Sequence, residues 1–272
     1  MLKTRIITAV LLLALLLAIV SAQSYTLFAL ASAVFFAAAS WECFRLFKAR
    51  WPLINTALWT ILLLVILFEE EPARLYWLYL VCVAIWLAAF APSLAKGLPT
   101  FEANSNRVLG VFYILAISTC FLSIAALFKQ SALYLVSVMA VVWIADIGAY
   151  FSGKAFGKRK LAPSISPGKS WEGAIGGGLA VLAIAAISTR FDILSNTFAT
   201  RILSAWGWFA FFVVLIIVVA ASIVGDLFES QLKRRAGMKD SSNLLPGHGG
   251  VLDRIDALIP VLPVVMLLGK WL

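Results

Sequence analysis

Residues 202–225 read ILSAWGWFAFFVVLIIVVAASIVG, and residues 226–256 continue DLFESQLKRRAGMKDSSNLLPGHGGVLDRID. The first stretch has no charged side chain and exceeds the roughly 20 apolar residues needed to cross a hydrocarbon core about 30 Å thick, so it predicts a transmembrane helix. The second concentrates charge, glycine and the single histidine of the chain. The fold this implies is all-α, a polytopic integral membrane protein whose polar segments gather at the membrane boundary.

The polar stretch carries its own chemistry. Asp253 and Asp256 lie three apart, so a helix through them projects both carboxylates from one face, within reach of one cation. That pairing suits Mg²⁺. Asp226 ends the apolar span, and on a continuing helix Glu229, Ser230 and Lys233 share its face; Asp226 is expected to join Asp253 and Asp256 in a metal cluster. Gly247, Gly249 and Gly250 permit close backbone approach to a ligand, and a helix starting near Val251 aims free N–H groups at an anion, phosphate being the obvious one. Lys233, Arg234, Arg235, Lys239 and Arg254 supply the cations that hold a polyphosphate beside a metal. With one histidine and no CxxC spacing, zinc has little to bind. The rival reading is a solvated basic loop between two membrane helices.

The composition agrees with a bilayer protein. Of the 272 residues, 63% are hydrophobic and 13% charged, which excludes an ordinary soluble protein. The net charge of +9 does not point to nucleic acid, because the basic residues flank apolar spans; anionic lipid and nucleotide phosphates fit better. Cys43, Cys82 and Cys120 lie in or beside apolar segments and read as buried packing residues. About nine spans are expected, near Ile6–Ala22, Tyr25–Trp41, Pro52–Phe68, Leu75–Ala91, Val108–Phe128, Ala132–Phe151, Gly173–Thr189, Ile202–Gly225 and Ala257–Leu268, the last with an alternative start near Val251. The first has a rival reading as a signal peptide, since Lys3 and Arg5 precede it and Val20-Ser21-Ala22 resembles a cleavage site.

Most of the 22 Lys and Arg residues fall on one side of this arrangement. Only Arg74, Lys129, Arg190, Arg201 and Lys270 fall on the other, with Glu69, Glu70 and Glu71. The bias places the N-terminus and the polar segments 92–107, 152–172 and 226–256 in the cytoplasm. Residues 1–130 then form spans one to five, and 131–272 a C-terminal catalytic region of spans six to nine in which two polar segments share one site.

The segment SGKAFGKRKLAPSISPGKSWE (152–172) looks built for phosphate, with Lys154, Lys158, Arg159, Lys160 and Lys169 among glycines. Topology alone also explains these charges. Gly168-Lys169-Ser170 mimics the end of a P-loop, but Pro163 stands where its first glycine belongs. Asp146 sits inside a span, at a cost on the order of 2.5–3.5 kcal/mol, and wants a partner; a structural and a catalytic role remain open. Gly173 with Gly177 is a small-xxx-small pair that permits close helix contact, and Ala220, Ala221, Ser222 and Gly225 thin the end of span eight so that the two Asp-bearing helices can approach. Trp and Phe residues read as lipid-facing or interfacial anchors.

The stretch Ser230, Leu232, Lys233, Arg234, Lys239, Asp240, Ser242, Leu245, Pro246, His248, Gly249, Gly250, Val251, Asp253, Arg254, Ile255, Asp256 resembles the C-terminal pattern of the phosphatidate cytidylyltransferases (CDP-diacylglycerol synthases) without a departure. Ser166, Pro167, Lys169, Ser170, Glu172 and Gly173 are similar to a second element of that family, with Gly168 where a basic residue is common. The likeness is legible from Asp146 to Asp256. It implies an enzyme in the bacterial inner membrane, its active site facing the cytoplasm, that condenses CTP with phosphatidic acid to CDP-diacylglycerol and pyrophosphate. In that scheme Asp226, Asp253 and Asp256 hold Mg²⁺ and Lys233 acts with them. Lys169, Ser166, Ser170, Arg234, Lys239, Asp240, His248, Gly249, Gly250 and Arg254 bind substrate. His248 is assigned to binding because the phosphate nucleophile is already ionised. The family also implies a homodimer; whether a monovalent cation joins Mg²⁺ stays open. Competing classes are an ion-coupled transporter, suggested by Asp146 and the glycine-rich helices, and a lipid phosphotransferase or kinase. The paired-acid pattern of the CDP-alcohol phosphotransferases is absent.

Overall fold

The computed structural model describes residues 2–69 and 75–269. Its helices fall at all nine expected places: α1 (Leu2–Ser21), α2 (Tyr25–Leu46), α3 (Pro52–Glu69), α4 (Tyr76–Ile85) continued through a π-helical turn into α5 (Ala91–Lys96), α6 (Asn104–Gln130), α7 (Ala132–Phe156), α8 (Trp171–Ser188), α9 (Phe198–Arg235), α10 (Leu252–Ile255) and α11 (Leu258–Gly269). Among the described residues, six helices are long and apolar enough to cross a membrane, counting Tyr76–Lys96 as one. The expected nine full spans are therefore not all reached. Leu258–Gly269 has 12 residues, about 18 Å at ~1.5 Å per residue, short of a core of about 30 Å. Glu70, Glu71, Arg74 and Lys270 of the charge count lie outside the described residues.

Helix α9 is the axis of the site. It breaks at Gly207, whose φ of 75° is left-handed and open to glycine at no steric cost. Beyond the break it runs to Arg235, roughly 40 Å at ~1.5 Å per residue, so its last turns project past a hydrocarbon core. Phe228 fixes its rotation by packing on Phe90, Tyr113 and Trp86 at ring-centroid distances of 4.6, 5.1 and 5.6 Å. The neighbouring Asp226 and Glu229 are set by that packing. One hydrophobic core includes residues from α2, α6, α9 and α11, so residues 1–130 and 131–272 share an interior.

Glycine lets α7 and α8 touch. A Cβ at Gly173 would lie 2.9 Å from Ala149 O, and one at Gly177 would overlap Ala145 O, as the small-residue spacing predicts. On α9, a Cβ at Gly225 would overlap Asp256 O and lie 2.8 Å from Pro260 Cδ; this glycine brings the two acid-bearing elements together. Cys43, Cys82 and Cys120 are buried free thiols, as read from the sequence; Trp51, Trp77, Trp143, Trp171 and Trp208 are exposed as expected of anchors, but Trp86 and Phe90, Phe211 and Phe228 among other Phe residues lie in the core instead, packing helix to helix.

Segment 152–172 is more ordered than a loop. Lys160–Ala162 (β1) and Ser166–Ser170 (β2) pair antiparallel, Lys160 opposite Ser170 and Ala162 opposite Ser166. Glu172 closes the hairpin by accepting from the Lys158 and Arg159 backbone N–H groups at 3.1 and 3.2 Å.

Candidate active site

The polar segments meet at one end of the bundle. Lys169 of β2 forms an ion pair with Asp226 of α9, and Arg234 Nε donates to Ile165 O at 3.4 Å, so segments 152–172 and 226–256 do form one surface. Arg235 ties in the third segment by donating to Pro99 O at 3.0 Å and Asn106 Oδ1 at 2.8 Å, its guanidinium over the Phe47 and Phe101 rings. Asp226, toward the C-terminal end of α9, faces a cavity of about 450 Å³ between α7, α8, α9 and the hairpin. Asp146, Lys154, Ser166, Lys169, Ser170 and Asp226 line its polar part; Ala145, Ala149, Ala174, Val219 and Ile223 line the rest. A mostly apolar chamber with a charged wall, set between membrane helices, suits a ligand with an acyl portion and a phosphate.

Around this cavity the expected residues separate into three groups. Asp226 and Lys169 are half-buried and pair at its wall, with Ser230 Oγ donating to Asp226 Oδ1 at 3.3 Å, the neighbour offset read from the sequence. Asp146 faces the same cavity. Ser166 is half-buried on its lining. Ser170 has a structural duty, accepting from Gly173 N at 3.1 Å as the N-cap of α8, which satisfies one of the orphan donors at the helix start.

Lys233 and Asp253 form a second, interior group. Lys233 Nζ donates to Glu229 Oε2 at 2.8 Å and Asp253 Oδ1 at 2.5 Å, with Lys233 8%, Asp253 9% and Glu229 0% exposed. Asp253 Oδ2 accepts from Ser241 N, Ser241 Oγ and Gly250 N, each at 2.8 Å. Burial pushes the Asp253 carboxyl up, but the Lys233 bond and charge and the two backbone donors outweigh it and hold it below the ordinary carboxylate range. Both oxygens are engaged by protein donors. Asp253 is the internal anchor of the loop, and Lys233 its counter-ion. Among the described residues no group of three or more acidic, Cys or His side chains gathers to hold a metal.

The reason lies in the short α10. Asp253 reaches back three residues to the Gly250 N–H in the manner of a capping-box acid, whereas Asp256 follows the helix as its C-cap and turns toward α9. Both carboxylates face α9 but meet different partners there: Lys233 holds Asp253, while Asp226 and Glu229 lie beside Asp256. The Asp256 carboxyl is pushed up to about 7, by burial first and then by the charge of Asp226.

The N–H groups at the start of α10 also have an occupant the sequence reading did not foresee. Glu42 of α2 accepts from Val251 N at 3.1 Å and Leu252 N at 2.7 Å, and from Ser242 Oγ. Phosphate is therefore not the anion at this terminus. A Cβ on Gly250 would overlap Ser241 Oγ and Glu42 Oε1; this glycine makes room for protein carboxylates. Gly249 takes φ of 82°, and a Cβ there would lie 2.7 Å from Asp253 Oδ2. The remaining residues ring the surface: Arg234, Lys239, Asp240 and Arg254 are exposed and His248 is half-buried. Lys239 and Asp240 share a shallow polar recess with Arg45.

A polytopic membrane protein with a basic hairpin and an acidic helix end around an amphipathic chamber is the class that fold and site define. Over residues 3–272 the chain matches the cytidylyltransferase family, and it belongs to that family. The match extends through the N-terminal spans, beyond the 146–256 stretch in which the likeness is legible by eye. The chain is 53% identical over 129 residues to the phosphatidate cytidylyltransferase of Haemophilus influenzae, covering 47% of this chain and 43% of that one. It is 55% identical over 130 residues to that of Pseudomonas aeruginosa, 48% and 45%, and 38% identical over 175 residues to that of Bacillus subtilis, 64% and 61%. The chain spans about half the length of the curated relatives it matches.

Proposed function

We propose that this membrane protein is a phosphatidate cytidylyltransferase, condensing CTP with phosphatidic acid at the cytoplasmic face of a bacterial inner membrane. The observation that carries the reading is the Lys169–Asp226 pair in a chamber whose walls are apolar on α7, α8 and α9 and charged toward the hairpin. A lipid phosphate and a nucleotide triphosphate meet most readily at such a boundary. Relatives named for this activity support it.

In the reaction, a phosphate oxygen of phosphatidic acid bonds to the α-phosphorus of CTP as the bond from that phosphorus to the bridging oxygen breaks. Pyrophosphate leaves with the electron pair. The nucleophile is already ionised near neutral pH, so no side chain has to remove a proton. The protein's task is to hold two anions together. Lys169 exchanges the Asp226 carboxylate for a phosphate oxygen, Lys154 adds charge to the same wall, and Ser166 donates from the hairpin. Exposed Arg234, Lys239 and Arg254 draw the triphosphate to this end of the bundle.

For a divalent cation the fit is selective. Asp226 and Asp256 interact across the α9–α10 approach, Asp226 charge being a cause of the raised Asp256 pKa, and the buried Glu229 Oε1 beside them lacks a hydrogen-bond partner among the described residues. Asp226 and Asp256 would hold Mg²⁺, which is commonly bound by one or two carboxylates plus substrate phosphate and water; Asp253 would not. When bound, Mg²⁺ supplies neutralisation of the phosphate charge. A homodimer is proposed on the family likeness alone.

Label partition tests the reading. Purified protein given phosphatidic acid, Mg²⁺ and CTP should place α-phosphate label in lipid and γ-phosphate label in pyrophosphate. Label from the γ position in the lipid indicates a kinase and overturns the proposal.

A further inference from the structure

Glu42 is an acid near the end of α2, 0% exposed, bonded to residues some 200 positions away. Its carboxylate accepts from donors at both ends of segment 242–252: Ser242 Oγ at one, the Val251 and Leu252 N–H groups at the other. Asp253 pins the adjoining residues in parallel, taking Ser241 at one end and Gly250 at the other. Two carboxylates on different elements therefore clamp the same pair of loop ends, and between them lies the turn that carries His248 and Gly249. Asp253 belongs to the loop it holds and joins it to α9 through Lys233; Glu42 ties both loop ends to α2. Its bonds fall on the first turn of α10, whose other end is Asp256, the acid that faces Asp226.

We infer that Glu42 is a positioning residue for the active site, fixing the start of α10 so that Asp256 is presented to α9. The physical case is direct. Backbone N–H groups at a helix start favour a negative partner, and a buried donor left without one carries the full desolvation penalty. With Glu42 removed, Val251 and Leu252 N–H and the Ser242 hydroxyl must find other partners, and Asp253 Oδ2 already has three donors on it. The segment then moves. Asp253, with Lys233, Ser241 and Gly250, and the buried Val251 and Leu252 side chains still hold the turn, so the shift is confined to its first residues and the loop before it.

The test uses full-length protein purified in detergent and compares wild type with Glu42→Gln, Glu42→Ala and Ser242→Ala. Hydrogen–deuterium exchange of residues 241–252 is read against exchange in α6, and CTP-dependent turnover is taken per folded molecule. The turnover arm rests on the proposed activity; the exchange arm does not, so an inactive wild type would count against that activity alone. Expected is a graded loss from wild type through Gln to Ala, with exchange at 241–252 at least tenfold faster in Ala, α6 unchanged, and kcat reduced at least tenfold while KM for CTP moves less than threefold. Ser242→Ala should show a smaller effect confined to the same segment. If Glu42→Ala does not fold, Glu42→Gln and Ser242→Ala decide. Wild-type exchange at 241–252 and wild-type kcat per folded molecule in these variants, even with a lowered melting temperature, overturn the inference.

Discussion

Replacing Lys233 by Met separates the two roles this residue can have. In the structure it is the cation of a buried trio, with Glu229 0% and Asp253 9% exposed and bonds of 2.8 and 2.5 Å to them. Methionine keeps the apolar stem and removes the charge. Asp253 Oδ2 retains its Ser241 and Gly250 donors, but Oδ1 loses its bond; Glu229 Oε2 loses its bond too, and Oε1 has none among the described residues. Breaking a buried ion pair by removing one partner costs about 3–5 kcal/mol. At about 2–4 °C per kcal/mol for a chain somewhat below this length, the melting temperature should fall on the order of 10 °C. Adding Glu229→Gln removes one of the two stranded charges and should recover part of that loss. The assay is thermal unfolding of detergent-purified protein at fixed lipid and scan rate. A Lys233→Met protein that melts within about 2 °C of wild type, by the same sensitivity, and fails only by a raised KM for CTP would refute the buried-counter-ion account. Lys233 would then be a phosphate ligand.

Other outcomes follow from the same geometry. Gly250→Ala should fail to accumulate or should melt well below wild type, because its Cβ overlaps Ser241 Oγ and Glu42 Oε1, whereas Gly168→Ala, with nothing within 4 Å, should behave as wild type; expression and melting of the two compare them. Gly177→Leu should part α7 from α8, lowering melting temperature and activity together in a side-by-side assay. Asp256 holds its proton more tightly folded than unfolded, its pKa raised from 3.8 to about 7. Its stabilising contribution is therefore complete below about pH 4 and lost as pH rises through about 7. Melting temperature should decline between pH 6 and 8 in wild type, and Asp256→Asn should flatten that decline.

Much of the fold was legible because bilayer-crossing helices announce themselves by length and hydropathy, and Gly173, Gly177 and Gly225 announce close contact. The sequence placed helices at the right positions but ended the second span at Trp41, since a charged residue marks a boundary on hydropathy grounds. Helix α2 continues to Leu46, and Glu42 was missed for that reason; an acid inside a span was the available signal, as it was for Asp146. The site was half legible. Lys169, Asp226 and the meeting of two polar segments could be read from charge and spacing. That Asp253 is taken by Lys233, Ser241 and Gly250 could not, because those partners come together only in the folded loop beside α9. Equally, a lysine in a polar stretch reads as free until the carboxylates beside it are located, which is the case of Lys233.

The central claim is that the chamber bounded by Lys169 and Asp226 brings a membrane phosphate to a nucleotide. Turnover of CTP and phosphatidic acid by Asp226→Asn and Lys169→Ala, normalised to folded protein, tests it most directly. The account predicts at least a hundredfold loss of CDP-lipid formation in both variants, with melting temperatures close to wild type. Near-normal turnover in either would place the chemistry elsewhere in the molecule.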